Sequence, residues 1–349
     1  MKMFIVWTVA FQSIQNKTIS YQILLYPGEN IGEYYPKMIN INEHQVRELV
    51  PMSDAIEAMR WAFTQLSNGN VFLPTRSSMD IPDKNATTLV MPAYAMGSPY
   101  FTVKIVSVNY SNPQKDLPMI NAVVHVFNAE KGEQVATLDG DTVTAIRTGA
   151  ASGLATDLLA RKDVKTGAIF GTGVQARTQI EALTNIRQLD KILVFSREKR
   201  SARSFCDFIM NNFSLEAEAS VHEDLSKADV ICTATPATMP LFDHTHLNHG
   251  VHINAIGSFK PNMQELPIKT INNAKVVVDH RSACEQEAGD LIIPVQNGQW
   301  SFDQIHGEIG EVVSGKVIGR ETNNEITVFK SVGIGIQDLA LANMIMDRV

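Results

Sequence analysis

A glycine-rich segment in the middle of the chain is the most specific local pattern that could do chemistry. It runs from Ala168 to Ala176, reads AIFGTGVQA, and fits the pattern G-x-G-x-x-A between an apolar strand and a helix. Glycines there allow a tight turn and a close approach of the backbone to a pyrophosphate, which the N–H groups and dipole of the helix then hold. A bare structural turn would explain one such motif, but this one opens an alternating series of strands and helices, which predicts a dinucleotide site. The predicted contacts are Gly171, Thr172, Gly173, Val174, Gln175 and Ala176.

The residues after the next strand bear on which dinucleotide is bound. A site that prefers NAD usually carries Asp or Glu at this point, where the carboxylate binds the ribose hydroxyls. This chain has Ser196 and Arg197 instead, followed by Lys199 and Arg200. A hydroxyl and a guanidinium suit a 2′-phosphate, so the sequence favours NADP(H), with NAD(H) as the alternative. Basic residues that only solvate the start of a helix are the structural explanation of the same pattern.

Three basic residues in the first half of the chain are candidates for binding a substrate carboxylate. Arg76 follows Leu-Pro-Thr in a loop, Lys104 lies inside an apolar strand, and Arg147 lies in the segment DTVTAIRTG. If they converge on a cleft, the arginines can bind a carboxylate bidentately while the lysine supplies a proton. A lysine flanked by apolar strand residues can also point to solvent, so the local pattern leaves the role of Lys104 open.

The elements that must position these residues fall into two blocks with different rhythms. From about Met38 to Thr144, one amphipathic helix is followed by short extended segments bounded by Pro, Gly or Asn, which indicates an α+β block of antiparallel character. Beyond Thr144, helices alternate with nearly continuous apolar strands, which predicts a doubly wound parallel sheet covered on both faces. A last strand and helix follow near the C-terminus.

Composition and charge exclude several classes of protein. A length of 349 residues suggests two domains, and a net charge of −7 argues against a nucleic-acid binder. Three widely separated cysteines exclude a disulfide framework or a Cys-rich zinc module and suggest a reducing compartment. No apolar run reaches the ~18 residues that a membrane span needs. We therefore expect a cytoplasmic protein that binds neither nucleic acid nor membrane.

The first 37 residues follow neither rhythm. Residues 3–11 form an apolar run after Lys2, but no cleavage site of small residues follows it. We interpret residues 1–37 as an appendage and Met38 as a plausible alternative start. A signal or anchor, or an integral part of the fold, are the two alternatives.

A histidine-rich stretch, His244 to His252, resembles a metal site but is interpreted as a polar loop that leads into a strand. Zinc histidines need convergent geometry and usually a carboxylate or Cys partner. We therefore predict no metal. Cys232 is interpreted as a buried strand residue rather than a nucleophile.

Several further segments, spread from Lys104 to Asp338, form a longer pattern. They are Lys104–Asn109 (KIVSVN), Leu138–Gly140 with Val143–Thr148, Phe170–Ala176, Ala255–Ser258 with Pro261, Glu265 and Leu266, and Val328–Ser331 with Gly333 and Asp338. In these residues the chain resembles the ornithine cyclodeaminase/mu-crystallin family, from about Met38 to the C-terminus. The combination is much more specific than the glycine motif alone.

The resemblance implies an α/β fold in which a Rossmann doubly wound parallel sheet is joined to an α+β substrate and dimerisation domain. The Rossmann domain would span residues 145–324. The second domain would combine residues 38–144 with the returning segment 325–349, and the protein would be a homodimer. By the same resemblance, Arg76, Lys104 and Arg147 match substrate-carboxylate and catalytic positions, with Lys104 as the catalytic residue. Further cofactor contacts would come from Thr148, Thr233, Ala234, Thr235 and Ser331.

The function that the resemblance implies is NAD(P)H-dependent reduction of cyclic imino acids, of the 1-pyrroline-2-carboxylate or 1-piperideine-2-carboxylate kind. Phe259 stands where ornithine cyclodeaminases have an aspartate, and phenylalanine can neither accept a proton nor pair with an ammonium group. Ornithine cyclodeamination is therefore a disfavoured alternative. An amino-acid dehydrogenase such as alanine dehydrogenase, and a non-catalytic NADPH-binding protein of the mu-crystallin type, are the other two.

Overall fold

The computed structural model describes residues 38–115 and 117–349. The interpretation of residues 1–37 as an appendage, signal or anchor lies outside the described residues. Within the described ranges, no helix combines the length and the apolar character that a bilayer crossing requires.

The first domain is built on a seven-stranded sheet. Its strands are β1 (Ile39–Ile41), β2 (Val71–Phe72), β3 (Ser77–Ile81), β4 (Ala86–Ala95), β5 (Tyr100–Asn109), β6 (Ile120–Asn128) and β7 (Gln134–Asp139). The order is β1-β7-β6-β5-β4-β2, with β3 also on β4, and every pairing is antiparallel except that of β1 with β7. Two helices, α1 (Glu43–Leu49) and α2 (Met52–Ser67), follow β1.

The period of two along β5 decides which way its lysine points. Thr102, Lys104, Val106 and Val108 are buried, whereas Ile105, between them, is exposed. Because successive side chains of a strand point to opposite faces, Lys104 shares the covered face with its apolar neighbours. The structure therefore removes the alternative that Lys104 points to solvent.

A long buried helix connects the two sheets. It is α3 (Gly140–Leu159), and it begins where the Asp139 side chain accepts a hydrogen bond from the N–H of Thr142 at 2.8 Å. A Cβ added at Gly149 would lie 2.5 Å from the carbonyl oxygen of Thr178, so glycine permits the close packing of the next helix. The expected domain boundary between residues 144 and 145 falls inside α3, because one continuous helix serves both domains.

The second sheet has eight strands, and all of its pairings are parallel. They are β8 (Thr166–Phe170), β9 (Lys191–Phe195), β10 (Glu216–Ala219), β11 (Val230–Thr233), β12 (His252–Ala255), β13 (Ala274–Val278), β14 (Gly307–Glu308) and β15 (Ile326–Lys330). The helices among them are α4 (Val174–Ile186), α5 (Lys199–Phe213), α6 (Ile268–Asn273), α7 (Arg281–Glu287), α8 (Gly289–Gln296) and α9 (Ile309–Val313). The order β10-β9-β8-β11-β12-β15-β13-β14 changes direction between β8 and β11. This is the predicted Rossmann architecture, and ligands bind at such a switch point.

The C-terminal segment does not return to the first domain as a unit, so the expectation for residues 325–349 is wrong for its strand. Strand β15 lies between β12 and β13 in the parallel sheet. Four of its five residues are buried, as a central strand covered on both faces requires. Only the helix that follows, α10 (Gly335–Met346), packs against α2, β4 and β5 of the first domain.

Candidate functional site

A cavity of about 190 Å³ lies between the two domains, next to the switch point of the parallel sheet. The first domain contributes a wall of apolar side chains from β4 and β5, together with basic groups. Eight of the predicted site residues line it: Arg76, Lys104, Arg147, Thr148, Gln175, Ala234, Thr235 and Ser331. The structure thus brings the predicted substrate residues and part of the predicted cofactor site to one place.

Lys104 and Arg147 share the carboxylate of Asp338 on α10. The Lys104 Nζ donates to Oδ1 of Asp338 at 3.0 Å, lies 2.8 Å from Oδ2, and donates to the Thr144 hydroxyl at 3.4 Å. The Nε of Arg147 is 3.4 Å from Oδ1 of the same carboxylate. Sharing one carboxylate leaves each cation only partly compensated, so both retain attraction for a ligand anion.

Burial sets the protonation of Lys104. The side chain is almost fully buried, and the loss of hydration lowers its pKa to about 8. Asp338 opposes this by stabilising the ammonium form, while Arg147 adds to the lowering. A lysine with a pKa near neutral can release a proton during turnover and regain it from solvent.

The guanidinium of Arg147 is held against a glycine. Its Nη1 donates to Oε1 of Gln337 at 2.9 Å, and Oε1 also accepts from the N–H of Ile334 at 2.9 Å. Gly333 has φ +79°, and a Cβ added there would lie 2.3 Å from Nη1 of Arg147. A side chain at this position would be strained by the positive φ and would push the Arg147 guanidinium from its place.

Arg76 reaches the cavity from the loop between β2 and β3. Its Nε and Nη2 face the two carboxylate oxygens of Glu287, at the end of α7 in the other domain. Burial lowers the pKa of Arg76 to about 10, so the guanidinium is cationic at neutral pH. Two guanidiniums and one ammonium group therefore meet at the cavity, as the sequence predicted for a carboxylate site.

The glycine-rich turn has the geometry that a dinucleotide phosphate needs. Gly171 has φ +105°, and a Cβ there would lie 2.6 Å from the carbonyl oxygen of Ala234. Gly173 starts α4 without a side-chain cap, and none of the described residues would touch a Cβ added to it. The helix start therefore offers N–H groups beside open space, while Ala176 is fully buried beneath it. Val174 is exposed and lies at the first turn of the helix.

The buried side chain of Glu265 accepts hydrogen bonds from the end of β11 and from the loops that follow β11 and β12. Oε2 of Glu265 accepts from the Thr233 hydroxyl at 2.8 Å and from the N–H of Gly257 at 2.9 Å. Oε1 accepts from the N–H and the hydroxyl of Thr235 at 2.8 and 2.7 Å. Thr233 is therefore engaged beneath the cavity, whereas Thr235 also lines it.

Ser331 lines the cavity but is already hydrogen-bonded within the protein. Its hydroxyl donates to Oδ2 of Asp279 at 2.7 Å, and the same oxygen accepts the N–H groups of Val332 at 2.9 Å and Gly333 at 2.7 Å. Asp279 thus fixes the segment between β15 and α10. Ser331 can accept a hydrogen bond from a ligand while it donates to Asp279.

The residues predicted to select the cofactor lie away from this cavity, where β9 ends. Ser196 is partly buried and Arg197 is exposed. A neighbouring hollow of about 430 Å³ is lined by residues that include Thr172, Arg177, Glu198 and Arg200. The acidic side chain of Glu198 therefore lies beside the basic ones, whereas the sequence prediction of NADP(H) rests on Ser196 and the basic residues alone.

Sequence reasoning missed the acidic partners of the site. Asp338 and Glu265 lie within the family-like segments, but no local motif marks them, Glu287 or Gln337 as part of the site. A carboxylate in the apolar helix that ends the chain was a usable signal for Asp338, because buried charges are almost always paired.

The histidine side chains between His244 and His252 do not come together as a metal site. His252 is fully buried, bonded to Thr327 and Asn254, and burial lowers its pKa to about 3. No group of three metal-ligating side chains occurs in the part of the chain that the structure describes. Burial raises the pKa of Cys232 to about 12, which makes its thiol a poor nucleophile.

Comparisons with known proteins agree with this arrangement. A family model described as the ornithine cyclodeaminase/mu-crystallin family matches residues 37–349. A delta(1)-pyrroline-2-carboxylate reductase from Bacillus cereus is 39% identical over 314 residues, which cover 89% of this chain and 96% of the relative.

Two solved structures share the fold at similar coverage. The Thermococcus litoralis delta(1)-pyrroline-2-carboxylate reductase, in complex with NADH and L-proline, has a TM-score of 0.86 and 36% identity, and the match covers 89% of this chain and 97% of that one. An archaeal alanine dehydrogenase dimer with bound NAD has a TM-score of 0.84 and 31% identity, with 89% and 95% covered. The chain belongs to the ornithine cyclodeaminase/mu-crystallin family.

Proposed function

We propose that the chain is an NAD(P)H-dependent reductase of cyclic imino acids, of the 1-pyrroline-2-carboxylate or 1-piperideine-2-carboxylate kind. The observation that carries this proposal is the convergence of Arg76, Lys104 and Arg147 in one cavity beside the glycine turn. Two relatives that are 39% and 40% identical to this chain are named as reductases of the first of these compounds. The chain is thus an oxidoreductase that acts on a CH–NH group.

The cavity walls suggest how each part of the substrate is held. The carboxylate lies between the guanidiniums of Arg76 and Arg147, which supply several N–H donors. The carbon ring lies against apolar side chains such as Leu89, Val106 and Phe259. The imine nitrogen then faces the Nζ of Lys104, which donates a proton to it directly or through water. Lys104 is the catalytic residue in this proposal.

The cofactor supplies a hydride for the imine carbon when it is bound. The fit rests on the open space at Gly173, the positive φ of Gly171, and the lining of the cavity by Thr148 and Gln175. Positioning by these groups and exclusion of water by the apolar wall provide most of the acceleration. We assign NAD(P)H as the cofactor class.

The preference between the two dinucleotides is a separate part of the proposal. Ser196 and Arg197 at the end of β9 support NADP(H), because an exposed guanidinium can pair with a 2′-phosphate. Glu198 and the NADH and NAD complexes of the two similar structures support NAD(H) as the alternative. We retain NADPH as preferred, and a higher kcat/KM with NADH than with NADPH contradicts this choice.

The outer face of the first sheet supports a homodimer. Phe101 and Phe127 stack there with ring centroids 4.8 Å apart, and Ile105, Phe72 and Met79 are exposed. An apolar face on the outside of a sheet is a typical interface between subunits. The archaeal alanine dehydrogenase is itself described as a dimer. We propose a cytoplasmic homodimer formed through this face.

Alanine dehydrogenation is a second candidate, favoured by the similarity to the archaeal enzyme. This reaction oxidises alanine to pyruvate and ammonia with the oxidised cofactor, and the reverse reaction consumes pyruvate and ammonia with the reduced one. The same cations would bind the carboxylate of alanine or of pyruvate. Ornithine cyclodeamination stays disfavoured because Phe259 lines the cavity and cannot pair with an ammonium group. A non-catalytic NADPH-binding role is the remaining alternative, and the convergence of Arg76, Lys104 and Arg147 on the cavity argues against it.

One panel separates these functions. NADPH and NADH oxidation is measured with 1-pyrroline-2-carboxylate, with 1-piperideine-2-carboxylate, and with pyruvate plus ammonia, and ornithine is supplied without a reductant. Turnover of the cyclic imines supports the proposal. Turnover of pyruvate plus ammonia alone supports the dehydrogenase, whereas tight cofactor binding without turnover of any substrate supports the binding protein.

A further inference from the structure

The carboxylate of Glu287 lies behind the substrate cavity, not in it. Arg76 lines both the 190 Å³ cavity and a smaller one of about 80 Å³ on its other side. Glu287 lines only the smaller cavity. Glu287 therefore acts on a ligand in the larger cavity indirectly, through its ion pair with Arg76.

The pairing uses one particular edge of the guanidinium. Nε of Arg76 donates to Oε1 of Glu287, and Nη2 faces Oε2. A guanidinium has five N–H donors in a rigid planar fork, and this pairing occupies the side edge. Three N–H donors remain, two on Nη1 and one on Nη2, and one from each of these nitrogens forms the end edge of the fork. That edge matches a second carboxylate bidentately.

The surroundings explain why the arginine needs this partner. The side chain of Arg76 is mostly buried, and Arg147 places a second positive charge nearby. Without Glu287, repulsion by Arg147 and the space of the smaller cavity would let the guanidinium turn away from the substrate. Arg76 belongs to the first domain and Glu287 to α7 of the second, so their contact also spans the cleft.

We propose that Glu287 is a positioning residue that orients Arg76, so that the free end edge of the guanidinium binds the substrate carboxylate. This inference rests on the proposed function, because the carboxylate is that of the cyclic imino acid. It assigns Glu287 a role in the KM for the imino acid and none in the transfer of hydride or proton.

The test compares Glu287→Gln and Glu287→Ala with a matched control, Glu285→Gln. Glu285 lies two residues earlier on α7 and is exposed, so its substitution removes the same charge from the same helix. With 1-pyrroline-2-carboxylate, the KM of Glu287→Gln is expected to rise roughly tenfold, the equivalent of one lost charge-assisted hydrogen bond. The kcat and the KM for NADH should stay near those of the wild type, and Glu285→Gln should match the wild type in all three.

Two kinetic results overturn the inference. A lower KM for the imino acid in Glu287→Gln means that Glu287 competes with the substrate for Arg76. An unchanged KM, or equal losses for the imino acid and NADH, means that the glutamate acts only on the structure as a whole. Because glutamine has nearly the same shape as glutamate, Glu287→Gln decides the question even where Glu287→Ala unfolds.

Binding separates this inference from the proposed function. L-Proline is titrated calorimetrically into wild type and variants loaded with NADH. Where the wild type binds L-proline but reduces no cyclic imine, the proposed function fails, and weaker binding by Glu287→Gln still supports the role of Glu287. Binding of equal or greater strength by the variant overturns that role, and no binding by the wild type overturns both.

Discussion

Asp338 sets the charge of the proposed proton donor, so Asp338→Asn tests the chemistry of the site directly. The substitution keeps the size of the side chain and removes its negative charge. Lys104 and Arg147 then face each other without the carboxylate that they share. Both the lost attraction and the repulsion that remains favour neutral Lys104, so its pKa must fall.

The size of the effect follows from the distance. At an effective dielectric constant of about 20, two unit charges 2.8 Å apart attract by roughly 6 kcal/mol, a factor of roughly 10⁴ in the protonation equilibrium. Relaxation of neighbouring groups and entry of water reduce this figure. We therefore expect the pKa of Lys104 to fall from about 8 to about 7 or lower.

The assay is the pH dependence of kcat/KM with 1-pyrroline-2-carboxylate. A proton donor must be protonated, so activity is present below its pKa and is lost as the pH rises through it. The wild type should lose activity above about pH 8, and Asp338→Asn at least about one pH unit lower. At a pH above both pKa values, kcat/KM of the variant should be lower than that of the wild type by about tenfold for each unit by which the substitution lowers the pKa of Lys104.

The matched control is Asp347→Asn, at the exposed end of the same helix. It removes the same charge at a distance from Lys104 and should leave the profile in place. A general loss of Arg147 alignment in Asp338→Asn would lower kcat/KM equally at every pH and would not move the profile. An Asp338→Asn profile with the wild-type midpoint refutes the role given to the Asp338–Lys104 pair.

Three further substitutions test other parts of the site. Lys104→Ala should lower kcat by at least about tenfold, because it removes the proton donor, while fluorescence titration finds NADPH binding nearly unchanged; unaltered turnover contradicts the role. Gly333→Ala would place a Cβ 2.3 Å from Nη1 of Arg147, so the KM for the imino acid should rise, and an unchanged KM means that the guanidinium can move freely. Glu265→Gln puts an amide NH₂ next to N–H groups that donate hydrogen bonds to the carboxylate in the wild type. Urea denaturation should therefore show that the free energy of unfolding falls by about 1–3 kcal/mol. Equal stability contradicts the role of Glu265 as an acceptor.

Local sequence patterns were sufficient to predict those elements whose structure depends mainly on neighbouring residues. The glycine turn needs a strand, two glycines and a helix in sequence, and Gly171 and Gly173 adopt the predicted places. The apolar strands of the second domain predicted a parallel sheet because both faces of each strand had to be buried. The burial of Lys104 agrees with alternation along β5, although the local pattern alone left its direction open.

Local sequence patterns could not identify the carboxylates that pair with Lys104 and Arg76, because each pair comes together only in the folded protein. Lys104 pairs with a residue 234 positions later, and Arg76 with one 211 positions later. A sequence shows that a buried cation needs a carboxylate, but many carboxylates are available along the chain. Which one is close depends on how α7 and α10 dock, and this follows from packing across the whole cleft.

The misplacement of β15 has a similar origin. The sequence predicted a strand near the C-terminus, and the structure has one there with four of its five residues buried. Burial alone does not say which sheet receives the strand, since central positions in either sheet would satisfy it. The register with β12 and β13 is decided by pairing of backbone groups far apart in the sequence.

The charges around the cavity favour a particular class of substrate. Among the described residues, the charged side chains that line it are the cations Arg76, Lys104 and Arg147, and the carboxylates that form salt bridges with them are Asp338 and Glu287. Within this set of ion pairs one positive charge remains, and a substrate with one carboxylate neutralises it. A dicarboxylate would leave a negative charge, and a diamino acid would add positive charge against an apolar wall, where an unpaired ion costs several kcal/mol. The balance therefore fits a monocarboxylate with one nitrogen, for which Lys104 and the substrate need only one transferable proton between them.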